Sequence, residues 1–336
     1  MSDPRPAIAL HILEREFAEL PGGDARCLVV NAQSAIRWPE GFSAQVAYVQ
    51  DLRPGYLALE NRGCDVHPVP QGSDFDLTVI LAGRHRRQNE TWIADALSRT
   101  RPGGTILVAG MKTDGMASLK KRVGALLALA GAQSKFHGMA FWLERPRNAQ
   151  TAIDALAHET SLIDGRFETG PGMFSADGID PGSRLLADHL PDDIKGAVAD
   201  FGAGWGYLAA QLLDQQGVAS LDLYEASHAA LDAAKANLGD TGQVELGFFW
   251  HDLTSEPVAR RYDAIVMNPP FHQGRAAQPG IGSAFVRAAL GALKKGGRLF
   301  LVANSGLPYD HELKAGASAS GELVNDGRFR VLWATV

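Results

Sequence analysis

The same order of elements occurs twice along the chain, and that repeat limits the fold more than any other feature. DFDLTVILAG (74–83) is echoed by RYDAIVMNPP (261–270), and RPGGTILVAG (101–110) by KKGGRLFLVAN (294–304). In each copy an apolar strand is followed, further on, by a Gly-Gly turn into a second apolar strand. Between them lie TWIADALSR (91–99) and SAFVRAALGALK (283–294), with apolar residues at the three- and four-residue spacing of a helix. Strand, helix, strand, found twice, predicts two α/β domains with parallel sheets that arose by duplication. Asp76 to Gly103 spans 27 residues and Asp263 to Gly296 spans 33, so the second copy carries about six extra residues, placed in HQGRAAQPGIG. A length of 336 residues also suits two domains at about 150 residues each. RPRNAQ (145–150), followed by a helical lead-in and a Gly/Pro-rich stretch, sets the expected boundary: one domain over 1–150, the other over 151–336.

Composition closes off several classes. With 46% hydrophobic and 21% charged residues the chain is ordinary globular material, neither disordered nor collagen-like. It has no run of about 18 uncharged apolar residues and no basic-then-apolar leader, which predicts a cytoplasmic protein without a membrane partner. Cys27 and Cys64 form no C-x-x-C, so neither a zinc site nor a disulfide framework is legible, and metal-free chemistry is expected. Residues 1–150 hold 18 Lys and Arg against 15 Asp and Glu, net +3, whereas 151–336 hold 14 against 23, net -9. The first half is the candidate for an anionic partner.

The second half carries a glycine loop. GAVADFGAGWGYLAAQLL reads as a strand (196–201), Gly202, Gly204 and Gly206, then a helix ending at Gly217. Glycine serves where backbone must turn sharply and approach a ligand without a Cβ in the way. The next strand, ASLDLYE (219–225), ends in Glu225, 23 residues after Gly202 and placed to accept ribose hydroxyls. Position 207 is Tyr, so the G-x-G-x-x-G dinucleotide fingerprint is not met. Asp200, just before the loop, suits a cationic nucleoside cofactor better than a pyrophosphate; S-adenosyl-L-methionine is one. Asp252 follows the strand-like VELGFFWH, where it either meets the adenine amino group or caps a helix in LTSEPVARR.

Asn268-Pro269-Pro270-Phe271 follows the strand YDAIVM. Consecutive prolines remove two amide donors and stiffen the segment, leaving carbonyls as acceptors. An exocyclic amine on a planar group is a weak nucleophile because its lone pair is delocalised. The Asn268 side-chain oxygen and the Pro269 carbonyl are the two acceptors that would hold its hydrogens, with Phe271 stacked on the ring. His272, next in line, is expected to line the pocket rather than act as a base.

These motifs, with GMFSADGIDPGSRLL before the loop and LVANSGLPYDHELK and GRFRVLWA in the tail, resemble the class I S-adenosylmethionine-dependent methyltransferases, specifically the ribosomal RNA guanine-N2 methyltransferases of the RsmC/RlmG type. The resemblance covers essentially all of 151–336. It implies two tandem Rossmann-like domains, the N-terminal one degenerate and the C-terminal one built on a seven-stranded, mostly parallel sheet. It implies that Asp200, Gly202, Ala203, Gly204, Glu225, Ala226 and Asp252 bind the cofactor together with Asn268 and Phe174, and that Asn268, Pro269, Pro270 and Phe271 hold the target amine. Phe174, Ser175 and Asp180 fall in the stretch that closes over the cofactor in such enzymes. Ala203 stands where relatives often have Cys, and Trp205 is expected to wall the methionine pocket. The implied partner is ribosomal RNA of the small subunit, and the chain is expected to act as a monomer.

In the first half the glycine-loop position reads LVVNAQSAI (28–36), without glycine, so no cofactor is expected there. The N-P-P-F position is read as Ala82-Gly83-Arg84-His85-Arg86-Arg87, a basic cluster in which Arg84, Arg86 and Arg87 are expected to meet RNA phosphates, with Arg99, Arg101, Lys112, Lys120, Lys121 and Arg122 nearby in sequence. Two other readings stay open: transfer to another planar amine, adenine N6 or a protein glutamine, and a cofactor-binding ribosome-assembly factor without catalysis. The tail ELVNDGRFRVLWATV predicts an antiparallel hairpin at a sheet edge, turning at Asp326-Gly327.

Overall fold

The computed structural model describes residues 3–17, 19–239, 241–242, 244–270, 272–273, 276–277 and 279–336, of which 272–273, 276–277 and 279 are described by their backbone alone. The chain separates into two compact units, Met1–Glu159 and Thr160–Val336.

In the first unit the strands are β1 (Arg26–Val30), β2 (Gln45–Val49), β3 (Asp65–His67), β4 (Phe75–Leu81), β5 (Thr100–Met111), β6 (Gly131–Lys135) and β7 (Gly138–Glu144). They form one sheet in the order β3-β2-β1-β4-β5-β7-β6, parallel through β5 and antiparallel at β7 and β6. Helices α1 (Pro4–Glu16), α2 (Arg53–Glu60), α3 (Arg86–Arg99), α4 (Met116–Gly124) and α5 (Gln150–Leu156) complete the unit. Successive strand residues face opposite sides, and both sides are apolar. Leu28, Val30, Ile80, Ile106 and Val108 join one core, while Cys27, Val29, Val79 and Leu107 join the other. Ala152 and Leu156 of α5 are buried in the first of these cores. That packing puts the division after Glu159 rather than near residue 150, and the charges then stand at 18 basic against 17 acidic residues in the first unit and 14 against 21 in the second.

The second unit begins with a small hairpin, β8 (Ser161–Ile163) and β9 (Phe167–Thr169), then α6 (Pro181–Asp188). There follow β10 (Lys195–Phe201), α7 (Tyr207–Leu213), β11 (Gly217–Glu225), α8 (His228–Leu238), β12 (Glu245–Trp250), β13 (Tyr262–Met267), the short pair β14 (His272–Gln273) and β15 (Ala276–Ala277), α9 (Pro279–Ala292), β16 (Leu293–Asn304), α10 (Asp310–Gly316), β17 (Ala319–Asn325) and β18 (Phe329–Thr335). The main sheet runs β12-β11-β10-β13-β16-β18-β17, again parallel except for the last two strands. β17 and β18 are the antiparallel hairpin expected from the tail. Helix α7 stops at Leu213, short of the expected Gly217, which instead opens β11: a Cβ there would lie 2.8 Å from the Ile194 carbonyl. Among the described residues no helix is long and apolar enough to cross a membrane.

The two main sheets share strand order and register. Val30 pairs with Val49 and Ile80, as Phe201 pairs with Tyr224 and Met267. The acid that opens the central strand makes the same bond in both units: Asp76 Oδ2 accepts from the Arg26 amide, and Asp263 Oδ2 from the Ala197 amide, each at 2.8 Å. Burial raises both carboxyls, but that amide and a cation, Arg101 or Lys294, outweigh it and hold them below the usual range. The common register also corrects the expected alignment. Ile80 matches Met267, so Leu81, not Ala82, stands at the place of Asn268, and Ala82 at that of Pro269.

Candidate active site

At the carboxyl end of β10 the chain must leave the sheet, turn, and enter α7 within five residues. Gly202, Gly204 and Gly206 make that turn with φ of 79°, 55° and 92°, values an L side chain rarely adopts. Beyond the missing side chain of Gly204 there is open space. Glu225, at the end of the neighbouring strand, ties the loop down: its Oε2 accepts from the Gly204 amide and its Oε1 from the Ser227 amide, both at 2.8 Å. A strand-end carboxylate beside the loop is the acceptor chemistry that a ribose diol needs. Ala226, next along, accepts the Trp250 indole N–H through its carbonyl.

Asp200 shares the sheet face of Val198, the side that carries α7. Its side chain is fully buried, and neither carboxylate oxygen has a hydrogen-bond partner in bonding geometry. Burial pushes its carboxyl up to about 8; the Ala209 amide in the first turn of α7 opposes the rise and the Glu225 charge adds to it. A buried acid with no cation and no well-formed hydrogen bond is costly and uncommon in a folded protein. The cavity next to it is lined by Phe174, Asp180, Gly204, Trp205, Leu208 and Asn268, among others. An orphan carboxylate, an open glycine loop and a second acid at the next strand end fit a cation attached to a nucleoside.

Asn268, the residue after β13, reaches the same cavity. Its Nδ2 donates to Asp180 Oδ2 at 3.0 Å and to Ser183 Oγ at 2.8 Å. A carboxylate can only accept, so the amide must present its NH2 to Asp180, which leaves Oδ1 facing away from this pair as an acceptor. Asp180 holds its place because it also caps α6: its Oδ2 accepts from the Ser183 amide at 2.8 Å, and Pro181 starts the helix. Sequence reasoning placed Asp180 over the cofactor and missed Ser183 altogether. The available signal was Asp180-Pro181-Gly182-Ser183, a helix start whose third residue faces back to the cap. Pro269 is buried and Pro270 exposed, with no cis peptide among the described residues. Phe271 lies outside the described residues, as does the side chain of His272.

Of the other expected residues, Phe174, Ser175 and Trp205 line the cavity, and Asp252 stands at a turn. Asp252 is buried and caps a turn: its Oδ1 accepts from the Thr254 amide and hydroxyl, and its Oδ2 from the Ser255 hydroxyl. No helix follows it. Trp205 packs among Ile163, Phe167 and Ala210, and its indole N–H donates to the Phe174 carbonyl at 2.9 Å. It therefore anchors the stretch that carries Phe174, whose side chain is exposed at the cavity rim, and Ser175, held at φ 50°.

In the first unit the corresponding place is filled. Val29 replaces Asp200, Asn31 at φ 54° replaces Gly202, and Gln50 replaces Glu225. Gln50 is buried; its Nε2 donates to the Ala32 carbonyl at 2.7 Å and its Oε1 accepts from the Leu52 amide at 2.9 Å. The Asn31 amide donates to the Leu81 carbonyl. Arg84, Arg86 and Arg87 are exposed at the start of α3, with Arg86 paired at 2.6 Å to Glu90, which also meets His158.

Comparison with known proteins agrees with this geometry. The Methyltransferase small domain family matches residues 164–333. The ribosomal RNA small subunit methyltransferase C of Pectobacterium atrosepticum is 31% identical over 267 residues, 79% of this chain and 75% of that protein. Its Yersinia pestis counterpart is 32% identical over 268 residues, 78% and 75% of the two chains. The solved structure of the T. thermophilus 16S rRNA N2 G1207 methyltransferase (RsmC), in complex with AdoMet and guanosine, superposes with a TM-score of 0.78 over 97% of this chain and 91% of that one, at 27% identity. By the family match, the identity over most of both chains and the shared two-unit fold, the chain belongs to the ribosomal RNA small subunit methyltransferase C family of S-adenosylmethionine-dependent methyltransferases.

Proposed function

We propose that the second unit transfers a methyl group from S-adenosyl-L-methionine to the exocyclic N2 amine of a guanine in small-subunit ribosomal RNA. The observation that carries this reading is the Asn268 amide, turned by Asp180 and Ser183 so that its oxygen is the acceptor, in a cavity lined by the glycine loop that follows the buried Asp200. The names of the relatives point to the same substrate class.

Asp200 takes the cationic amino group, and the Glu225 carboxylate accepts the ribose hydroxyls. The bound cofactor supplies an electrophilic methyl on a sulfonium, with a neutral thioether as leaving group. Asn268 Oδ1 and the Pro269 carbonyl accept the two N–H bonds of the guanine amine, which aims its lone pair at the methyl carbon. A C–N bond forms as the C–S bond breaks, and the surplus amine proton leaves to solvent. Positioning supplies the rate. Phe174, at the cavity rim, is the aromatic side chain at hand for the cofactor. The target guanine must leave its stack to reach the clamp.

The first unit, a degenerate copy with its cofactor place filled, docks the RNA. Arg84, Arg86 and Arg87 contact phosphates there. Charge reversal at these three positions is expected to weaken RNA binding and flatten its salt dependence while S-adenosylmethionine affinity stays unchanged. The direct test is transfer of labelled methyl to naked rRNA and to small subunits from cells lacking the protein, followed by nucleoside analysis. N2-methylguanosine that disappears with Asn268→Ala is the expected result. Label in N6-methyladenosine or in polypeptide would overturn the assignment of the amine.

A further inference from the structure

The hairpin of β6 and β7 closes through a two-residue turn, Phe136-His137, flanked by the pair Lys135 and Gly138. Both turn residues are left-handed, with φ of 52° and 62°. A turn of this kind strongly prefers Asn-Gly, because other side chains at positive φ collide with the backbone. The second unit gives a control. Its hairpin, β17 and β18, turns through Asn325-Asp326-Gly327, where Gly327 takes the positive φ and the Asp326 carboxylate accepts from the Arg328 and Phe329 amides. One copy of the hairpin thus uses turn-forming residues, and the other keeps two large rings in a conformation that disfavours them.

The surroundings of those rings say what they fit. Phe136 is 47% exposed at the tip. Lys135 Nζ lies 5.2 Å from its ring centroid, and His11 meets the ring edge-on at 5.7 Å and 86°. Lys112, also exposed, donates its amide to the His137 carbonyl. Met111, just before Lys112, pairs with Gly138, just after the turn, so Lys112 and Lys135 bring two cations to the hairpin tip. An exposed ring with cations beside it is the chemistry that takes an unpaired base on the π-face and its phosphates at the rim.

We propose that the Phe136-His137 turn is a stacking platform for an unpaired base of the RNA substrate, with Lys135 and Lys112 on the adjoining phosphates. The proposal rests on RNA being the substrate. Replacing the turn with the sequence its backbone prefers, Phe136→Asn with His137→Gly in the full chain, separates fold from binding. The thermal midpoint is expected to rise by about 2 °C or more, while affinity for a 16S rRNA transcript falls about fivefold or more and S-adenosylmethionine affinity is unchanged. Phe136→Leu, which keeps bulk and loses the π-face, should weaken RNA binding without changing its salt slope, whereas Lys135→Gln should lower that slope by about one. Unchanged RNA affinity in both Phe136 variants, beside a wild type that binds and methylates rRNA, would overturn the platform and leave the substrate standing. A wild type that neither binds nor methylates rRNA would remove both.

Discussion

The two units repeat one fold with opposite treatment of one place in it. At the carboxyl end of β10 the second unit keeps a buried carboxylate without a well-formed hydrogen bond, an open glycine loop and a strand-end acid on β11. The first unit puts Val29, Asn31 and Gln50 there, and the two side-chain amides bond to the backbone of their own unit. Strand order, register and the Asp76 and Asp263 strand ties are the same in both. What maintains the sheet is therefore separate from what binds a ligand, and a cofactor site can be lost without disturbing the fold. The active copy carries the less stable arrangement at that place, since its acid is stranded until a cation arrives.

Asn268→Ala breaks the comparison most strongly. Methyl transfer should fall about a hundredfold or more in kcat with S-adenosylmethionine affinity unchanged. Leu81→Ala, at the same place in the first unit, should instead lower stability by about 2–5 kcal/mol and leave kcat intact while the protein is folded.

Asp200→Asn should weaken S-adenosylmethionine binding about tenfold or more, because a charge-assisted bond to the cation is lost. It should also stabilise the ligand-free protein. The acid titrates near 3.8 when unfolded and near 8 in the fold, so between those values the folded state holds the extra proton. Wild-type stability then declines with rising pH across that window relative to the variant, by at most about 1.4 kcal/mol per pH unit, and levels off above it. Thermal midpoints from pH 4 to 9 check the sign.

Asp180→Ala should lower kcat about fivefold, and Ser183→Ala, which spares the α6 cap, about threefold, each with little change in cofactor affinity; single bonds of this kind contribute about 1 kcal/mol. Asp180→Asn can still accept from Asn268 and should restore most of the rate. A loss that appears only in melting temperature would make these residues structural.

Gln50→Glu sets a carboxylate against the Ala32 carbonyl and should destabilise the first unit by about 1–3 kcal/mol without creating a second cofactor site. Asp76→Asn and Asp263→Asn should have the smallest effects, about 1 kcal/mol or less after solvent screening. Both carboxyls are depressed in the fold, so each loss is expressed above the unfolded pKa and vanishes as pH falls through the folded one.

Much of this was legible in the sequence because it is local. The repeated strands, the glycine loop, Glu225 at the end of the following strand and the Asp326-Gly327 hairpin each depend on residues a few positions apart. The contacts of Asn268 with Asp180 and Ser183 join residues 85 or more apart, and no spacing rule reaches that far. The counterpart of Asn268 was misplaced by one residue because the apolar run VILA in the first copy does not mark where pairing ends; the register does. No motif in the sequence marks Gln50; only the register of β2 and β11 sets it at the place of Glu225. Asp252 shows the opposite limit: its helix-cap reading was half legible, and the structure keeps the cap but spends it on a turn.

The most direct test of the contrast between the units is a calorimetric titration of the full chain with S-adenosylmethionine, run for the wild type and for Asp200→Asn. One equivalent per chain, greatly weakened by the substitution while the ligand-free variant melts higher at pH 8, is the predicted result. Two equivalents, or binding that Asp200→Asn leaves unchanged, would contradict it.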